Sequence, residues 1–197
     1  MNFIKLPSGY EPIKKINLVK DKNARITVNI LYVSLMIIMI AFGFLFSNMA
    51  TLEQFIKVCE KIELWRFIFK AILSCILGGI YVVIHEVIHL FFMKLFCPEA
   101  KISFSYKVLY ACAGSNAYFN KISYNLIAIS PIAIMGALLT MVCLLVPASW
   151  FWTVYVVQIL NVAGAAGDLY IFFIISRMNR DIMVYDSGVE MIVYSKK

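Results

Sequence analysis

Four stretches of almost uninterrupted apolar residues divide the chain, and more polar segments separate them. Their approximate bounds are 26–46, 64–96, 122–146 and 150–176. About 20 helical residues cross a hydrocarbon layer about 30 Å thick, so each stretch is long enough to span a membrane. Because backbone groups in lipid must be hydrogen-bonded within the segment, the spans should be helical. The pattern therefore predicts an all-α membrane protein, a four-transmembrane-helix bundle that forms a single integral membrane domain over residues 1–197.

Shorter segments outside these stretches alternate between apolar and polar residues in the way that β-strands do. In the strand-rich loop 101–119, apolar side chains recur at every second position over residues 102–110. Residues 113–116 then have the composition of a turn. In the segment 182–194, two apolar runs flank the turn residues 186–188, which predicts a C-terminal hairpin. We therefore expect short β-hairpin elements beside the helices.

The composition agrees with insertion into a bilayer. The hydrophobic fraction is 62% and the mean hydropathy is +0.86, above the values of soluble domains. The net charge of +7 comes from Lys and Arg that cluster outside the apolar stretches, so it favours membrane orientation over nucleic-acid binding. The five cysteines include no C-x-x-C pair, and they fit small buried side chains or free thiols better than a disulfide framework.

The basic residues also predict how the chain is oriented. With four spans, both termini and the loop between the second and third spans share one side of the membrane. That side carries fourteen Lys and Arg, whereas the opposite side carries four. Because basic loops stay in the cytoplasm, both termini should be cytoplasmic and the chain integral to the cytoplasmic membrane. Residues 51–63, on the other side, mix charged and apolar residues and are typical of an amphipathic surface helix.

The second apolar stretch contains the only two histidines of the chain, His85 and His89, with Glu86 directly after the first. A spacing of four places both imidazoles on one helix face, where they can share a metal ion. A zinc hydrolase needs three protein ligands, a coordination position open to water, and a base for the proton of that water. His85 and His89 supply two ligands, and Glu86 is close enough to act as the base.

Depth in the membrane selects the third ligand. Glu99, Asp181, Asp186 and Glu190 lie outside the predicted spans. Asp168, in contrast, lies within the fourth apolar stretch, nine residues before Arg177, and His89 is likewise nine residues before Pro98. At about 1.5 Å per residue, both lie roughly 13 Å from the cytoplasmic ends of their helices. Two spans thus bring metal-binding groups to one level.

These polar groups also have structural explanations without a metal. A buried Asp costs roughly 2.5–3.5 kcal/mol on insertion scales, and Tyr170, a backbone group or protonation could satisfy it. Asn161, two helical turns before Asp168, is a candidate for binding substrate or stabilising an oxyanion. An interhelical hydrogen bond is the alternative for Asn161. For the histidines, Glu86 and Asp168 we favour the metal, because otherwise four costly polar groups would share one level by chance.

The His-Glu-x-x-His motif and the later intramembrane aspartate resemble the zinc metalloproteases of the site-2 protease type. More closely, the chain resembles a bacterial membrane family of putative zincin peptidases over residues 81–194. The shared features are the motif, a strand-rich loop after it, Ser130-Pro131 in the next span and Gly167-Asp168 in the last. The chain departs from the site-2 pattern, since Gly167-Asp168-Leu169 replaces Leu-Asp-Gly. The residues that the resemblance implies as Zn²⁺ ligands are His85, His89 and Asp168, with Glu86 as general base and acid.

We therefore expect an intramembrane zinc metalloendopeptidase that cuts membrane-anchored proteins near the cytoplasmic face. The substrate must be extended, and the strand 102–110 would either hold it by β-augmentation or form a structural cap. The expected partners are the bilayer and a membrane-anchored substrate, with no nucleic acid. Two other classes remain open, a non-catalytic metal-binding membrane scaffold and a small proton or metal transporter. Glu86 argues against the scaffold, because ligation alone does not need it, and the almost wholly apolar third stretch argues against the transporter.

Overall fold

The computed structural model describes residues 2–47, 64–107, 110–188 and 190–196. Its helices are α1 (Lys22–Phe46), α2 (Leu64–Phe96), α3 (Lys121–Leu145), α4 (Phe151–Gly164) and α5 (Ala166–Ser176). A 3₁₀ turn, Ala148–Trp150, leads into α4. The strands are β1 (Tyr10–Ile16), β2 (Ile102–Lys107), β3 (Tyr110–Ser115), β4 (Tyr118–Asn120), β5 (Ile182–Asp186) and β6 (Met191–Lys196).

Four helical segments among the described residues are long and apolar enough to cross a membrane. They are Lys22–Phe46, Leu64–Phe96, Lys121–Leu145 and Ala148–Ser176. The prediction of a mostly helical chain with four such segments and some antiparallel strands is confirmed. The first helix starts before the predicted 26, because the side chain of Asp21 accepts hydrogen bonds from the backbone N–H groups of Asn23 and Ala24. The surface helix predicted for 51–63 lies outside the described residues.

The last of these segments is interrupted, whereas its apolar run predicted one continuous helix over 150–176. Helix α4 ends at Gly164, Ala165 has φ −77° and ψ 11°, and α5 begins at Ala166. Glycine has a low helix propensity, so this short run of small residues is a favourable place for an interruption. As a result, Asp168 lies in the first turn of α5, where the helix dipole stabilises a negative charge.

The larger sheet has four antiparallel strands in the order β1-β6-β5-β4. Its β5–β6 hairpin agrees with the hairpin predicted for 182–194, and Gly188 in the turn has φ +84°. Strand β1 was not predicted, because Tyr-Glu-Pro-Ile-Lys-Lys-Ile lacks a clean alternation. Its register against β6 shifts between Pro12 and Lys14, and β1 is an edge strand, the place in a sheet where proline is tolerated.

The smaller sheet pairs β2 with β3 in antiparallel fashion, with Phe104 opposite Ala113. The single strand predicted for 102–110 is therefore wrong, since this region contributes to two strands. The turn predicted for 113–116 is also misplaced, because β3 continues to Ser115. Small residues serve close packing here: a Cβ on Gly114 would overlap the backbone of Ser187 in the turn between β5 and β6.

The chain divides into two compact units. The first comprises Met1–Ile30, Val83–Pro131 and Ala166–Lys197, and it contains both sheets. In its core, apolar residues of the larger sheet pack with residues of α2, α3 and α5, among them Phe119, Val184, Val193, Met93, Ile127 and Ile175. The second unit comprises Leu31–Val82 and Ile132–Ala165. That the chain acts as a single membrane domain stays a prediction.

Asn120 precedes α3 and connects the start of this helix to other parts of the first unit. Its side-chain oxygen accepts a hydrogen bond from the backbone N–H of Ser123 at 3.0 Å, which makes it the N-cap. Its amide donates to the side-chain oxygen of Asn2 at 2.8 Å. Asn2 in turn donates to the carbonyl of Phe96, the last residue of α2, at 3.0 Å. This network links the end of α2, the start of α3 and the N-terminal segment.

We predict that Asn120→Ala lowers the free energy of unfolding by about 1 kcal/mol or more, because the cap is lost and Asn2 loses a donor. Asn120→Asp retains the capping oxygen and should recover part of the loss. Thermal unfolding in detergent measures both, with Asn23→Ala, at an exposed asparagine in α1, as the control. Equal stability of Asn120→Ala and the unchanged protein would contradict the assignment.

Candidate metal centre

Helix α2 places His85 and His89 on the same face, as their spacing predicts. Their Nε2 atoms lie 3.2 Å apart, and the residues are only 8% and 7% exposed. Two imidazole lone pairs that face each other at this distance repel each other unless a proton or a cation lies between them. The pair therefore requires either a proton shared between the two nitrogens or a cation between them.

Asp168 approaches this pair from the first turn of α5. Its Oδ2 lies 3.0 Å from Nε2 of His85, and its Oδ1 lies 3.5 Å from Nε2 of His89. The three residues form a group whose ligand atoms all lie within 4.8 Å of one another. The structure thus brings together the three residues that the sequence analysis selected as ligands.

The dimensions of this group fit a zinc ion. In a tetrahedral site with zinc–ligand distances of about 2.0–2.1 Å, neighbouring ligand atoms lie about 3.3–3.4 Å apart. The shortest contacts are close to this value: 3.2 Å between the two imidazoles, 3.0 Å from Oδ2 of Asp168 to His85, and 3.5 Å from its Oδ1 to His89. Two imidazoles and one carboxylate are also a donor set of catalytic zinc sites, which leave the fourth position to water or substrate.

The tautomer of His89 is fixed by its second ring nitrogen. Nδ1 lies 2.9 Å from the backbone carbonyl oxygen of Ile127 in α3. A carbonyl only accepts hydrogen bonds, so Nδ1 carries the proton and Nε2 directs its lone pair to the centre. Metal-binding histidines are commonly oriented by such a contact.

Glu86 lies beside the metal-binding group. It lines a cavity of about 310 Å³ together with His89 and Asp168, and apolar residues such as Met93 and Ile171 line the same cavity. The backbone N–H of Ala113 in β3 lies close enough to the Glu86 carboxylate to stabilise its negative charge. Glu86 thus shares this cavity with two of the three candidate ligands.

Tyr124 and Asp186 also line this cavity, and Tyr124 was not among the sequence candidates. The Tyr124 hydroxyl donates to Oδ2 of Asp186 at 2.6 Å, and the backbone N–H of Gly188 donates to Oδ1 at 2.8 Å. Burial raises the pKa of the Asp186 carboxyl, and these two hydrogen bonds act in the opposite direction. No sequence pattern reveals the pair, because α3 and β5 meet only through tertiary packing.

The other sequence candidates lie outside the group of three ligands. Glu190 lines the cavity and forms an ion pair with Lys15 at 2.5 Å. Asn161 belongs to the second unit, where it is fully buried. Its Oδ1 accepts a hydrogen bond from the Tyr81 hydroxyl at 3.2 Å, and its Nδ2 donates one to the Ile132 carbonyl at 3.4 Å. Asn161 thus makes interhelical hydrogen bonds, and its role in substrate binding stays a prediction.

Comparison with known families supports the interpretation of this centre. The family model described as "Putative zincin peptidase" matches residues 78–183, which include His85, Glu86, His89 and Asp168. No curated protein and no solved structure matches the chain. The family name implies a zinc metallopeptidase, while the relation to site-2 proteases stays a prediction. Because the match covers more than half of the chain, the protein belongs to the putative zincin peptidase family.

Proposed function

We propose that the protein is an intramembrane zinc metalloendopeptidase that hydrolyses peptide bonds of membrane-anchored proteins near the cytoplasmic face. The observation that carries the proposal is the group of His85, His89 and Asp168, whose spacing fits one zinc ion, with Glu86 on the wall of the same cavity. A metal held for structure alone does not need a carboxylate placed beside it.

The exposed surface of the helices supports insertion into a bilayer. Large apolar side chains along α1 lie open, for example Ile30 (62% exposed), Ile37 (59%) and Leu45 (79%). Proteins in water rarely expose continuous apolar surfaces of this kind, whereas lipid tails cover them without cost. We infer that these faces contact lipid.

Basic residues at the helix ends support a site near the cytoplasmic face. Lys94 lies in the last turn of α2, and Lys121 begins α3. The ammonium of Lys121 donates to the carbonyls of Ser176 and Met178 at 2.8 and 2.5 Å, next to Arg177 at the end of α5. These helix ends belong to the side predicted to be cytoplasmic, because basic residues are retained there.

In this mechanism, His85, His89 and Asp168 would hold the zinc. When bound, zinc would supply a Lewis acid that lowers the pKa of a coordinated water and polarises the substrate carbonyl. The Glu86 carboxylate accepts the proton of the attacking water and returns it to the leaving amine. The backbone N–H of Ala113 stabilises the negative charge of that carboxylate. The substrate must be extended around the scissile bond, because the carbonyls of a helix are already hydrogen-bonded.

We predict that the purified protein holds about one zinc per chain, and that His85→Ala and Asp168→Ala each lower zinc affinity by well over tenfold, because each removes a ligand. Elemental analysis after equilibration with a chelator measures this loss. Asp181→Asn removes a carboxylate outside the group and should keep the metal. Full zinc content in Asp168→Ala would move the third ligand elsewhere.

We predict that Glu86→Gln keeps zinc but lowers peptide hydrolysis by about 10²–10⁴-fold, the usual contribution of a general base. Comparing membrane proteomes of cells with the unchanged protein and with Glu86→Gln identifies substrates as fragments that need Glu86. Glu99→Gln, at a carboxylate outside the metal-binding group, serves as the matched control and should cleave normally. Undiminished cleavage by Glu86→Gln would overturn the mechanism.

We predict that both termini face the cytoplasm. Epitope tags fused to either end should resist protease added to intact spheroplasts and should be digested after lysis. A tag inserted in residues 48–63 should show the reverse pattern, since the charge distribution predicts the opposite side of the membrane for that segment. Digestion of a terminal tag in intact spheroplasts would contradict the orientation.

A further inference from the structure

Helix α3 contains a fully buried proline, Pro131, in its interior. Proline has no backbone N–H, so it cannot donate the hydrogen bond that a helical residue gives to the carbonyl four positions earlier. For Pro131 this carbonyl belongs to Ile127. The helix therefore leaves the carbonyl oxygen of Ile127 without its usual backbone donor.

Two side chains donate to this carbonyl instead. Nδ1 of His89, on α2, lies 2.9 Å from the Ile127 oxygen, and Oγ of Ser130 lies 2.9 Å from it. A carbonyl oxygen has two lone pairs, so these two donors satisfy it completely. Both His89 and Ser130 are buried, so water does not replace either donor readily.

Any residue other than proline at position 131 would bring an N–H directed along the helix towards the same oxygen. That N–H would compete with the imidazole, because three donors would then share one carbonyl. If His89 lost this contact, its proton could move to Nε2, the atom that faces His85 and Asp168. A protonated Nε2 has no lone pair for a metal.

We propose that Pro131 is a positioning residue of the metal centre. By withholding the helical donor, it reserves the Ile127 carbonyl for Nδ1–H of His89 and so keeps the Nε2 lone pair directed to the centre. The proposal rests on the metal site of the proposed function, but it concerns metal binding and the state of His89, whichever reaction follows.

Replacing Pro131 by alanine should affect the stability of helix α3 and the affinity for zinc in opposite directions, which allows a clear test. A proline inside a helix destabilises it relative to alanine. If Pro131 served only the packing of α3, Pro131→Ala would change stability and zinc affinity in the same direction. If it positions His89, alanine should leave the metal-free protein as stable or more stable while zinc binding weakens.

The first experiment measures both quantities on Pro131→Ala. We expect zinc affinity, from competition with a chelator, to fall about 10–100-fold, the usual loss when the partner of a metal-binding histidine is removed. The unfolding temperature of the metal-free protein should stay equal or rise. Ser130→Ala is the matched control: it removes the other donor to Ile127, leaves Nδ1 of His89 in place, and should bind zinc normally.

The second experiment reads the tautomer of His89 directly by ¹⁵N NMR of the metal-free protein labelled on histidine, which has only two imidazoles. The unchanged protein should show neutral His89 with its proton on Nδ1, whereas in Pro131→Ala part of the neutral His89 population should carry the proton on Nε2 instead. An unchanged tautomer with unchanged zinc affinity would overturn the proposal. So would a fall in zinc affinity that accompanies a fall in stability without a tautomer shift, or a wild-type His89 protonated at Nε2.

These readouts separate the inference from the proposed function. Zinc binding without peptide hydrolysis in the unchanged protein would contradict the peptidase but leave the role of Pro131 intact. If Pro131→Ala hydrolysed peptides at the wild-type rate and bound zinc with wild-type affinity, the positioning role would be contradicted. The proposed peptidase activity would be unaffected by that result.

Discussion

The attraction between one carboxylate and two imidazoles is the interaction on which the first unit depends. His85 and His89 are buried on α2, and an isolated Asp168 would be costly to place in apolar surroundings. Together their donor atoms could hold one cation. The attraction to that cation would offset the free-energy cost of burying each polar side chain. The start of α5 adds to this balance, because its first backbone N–H groups favour a negative charge at Asp168. Helices α2 and α5 are thus joined by electrostatic attraction between these side chains.

Irregular points in the helices prepare this interaction. The interruption at Ala165 turns the middle of an apolar segment into a helix start, so Asp168 gains the stabilisation of an N-terminal turn. In α3, the loss of one backbone hydrogen bond at Pro131 frees a carbonyl that fixes the proton of His89. Both departures from regular helix weaken local structure, and both supply a polar group to the centre. Regular helices, with their backbone groups paired internally, would have offered neither.

Local periodicity explains which parts of the site could be predicted from the sequence. The pairing of His85 and His89 follows from 3.6 residues per turn, and the common depth of His89 and Asp168 follows from the rise per residue. The helix interruption at Ala165 could not be predicted, since a run of small apolar residues equally fits a continuous helix. The contacts of Tyr124 and Asp186 depend on how a distant strand packs on α3, which no local pattern encodes. Strand β1 was missed for the same reason, because its partner β6 lies at the other end of the chain.

The polar groups of the helices also discriminate between hydrolysis and transport. A transporter of protons or metal ions needs polar side chains that follow one another along a path. In the described structure the polar residues of α3 are engaged locally: the amide nitrogen of Asn125 donates to Ser176, Ser130 donates to Ile127, and Thr140 accepts from Gln158. The cavity at the metal centre has a different character, since backbone groups of β3 and of the β5–β6 turn approach it next to Glu86. A carboxylate beside three residues that could hold a metal, within reach of strand backbone, suits the hydrolysis of an extended chain better than the passage of an ion.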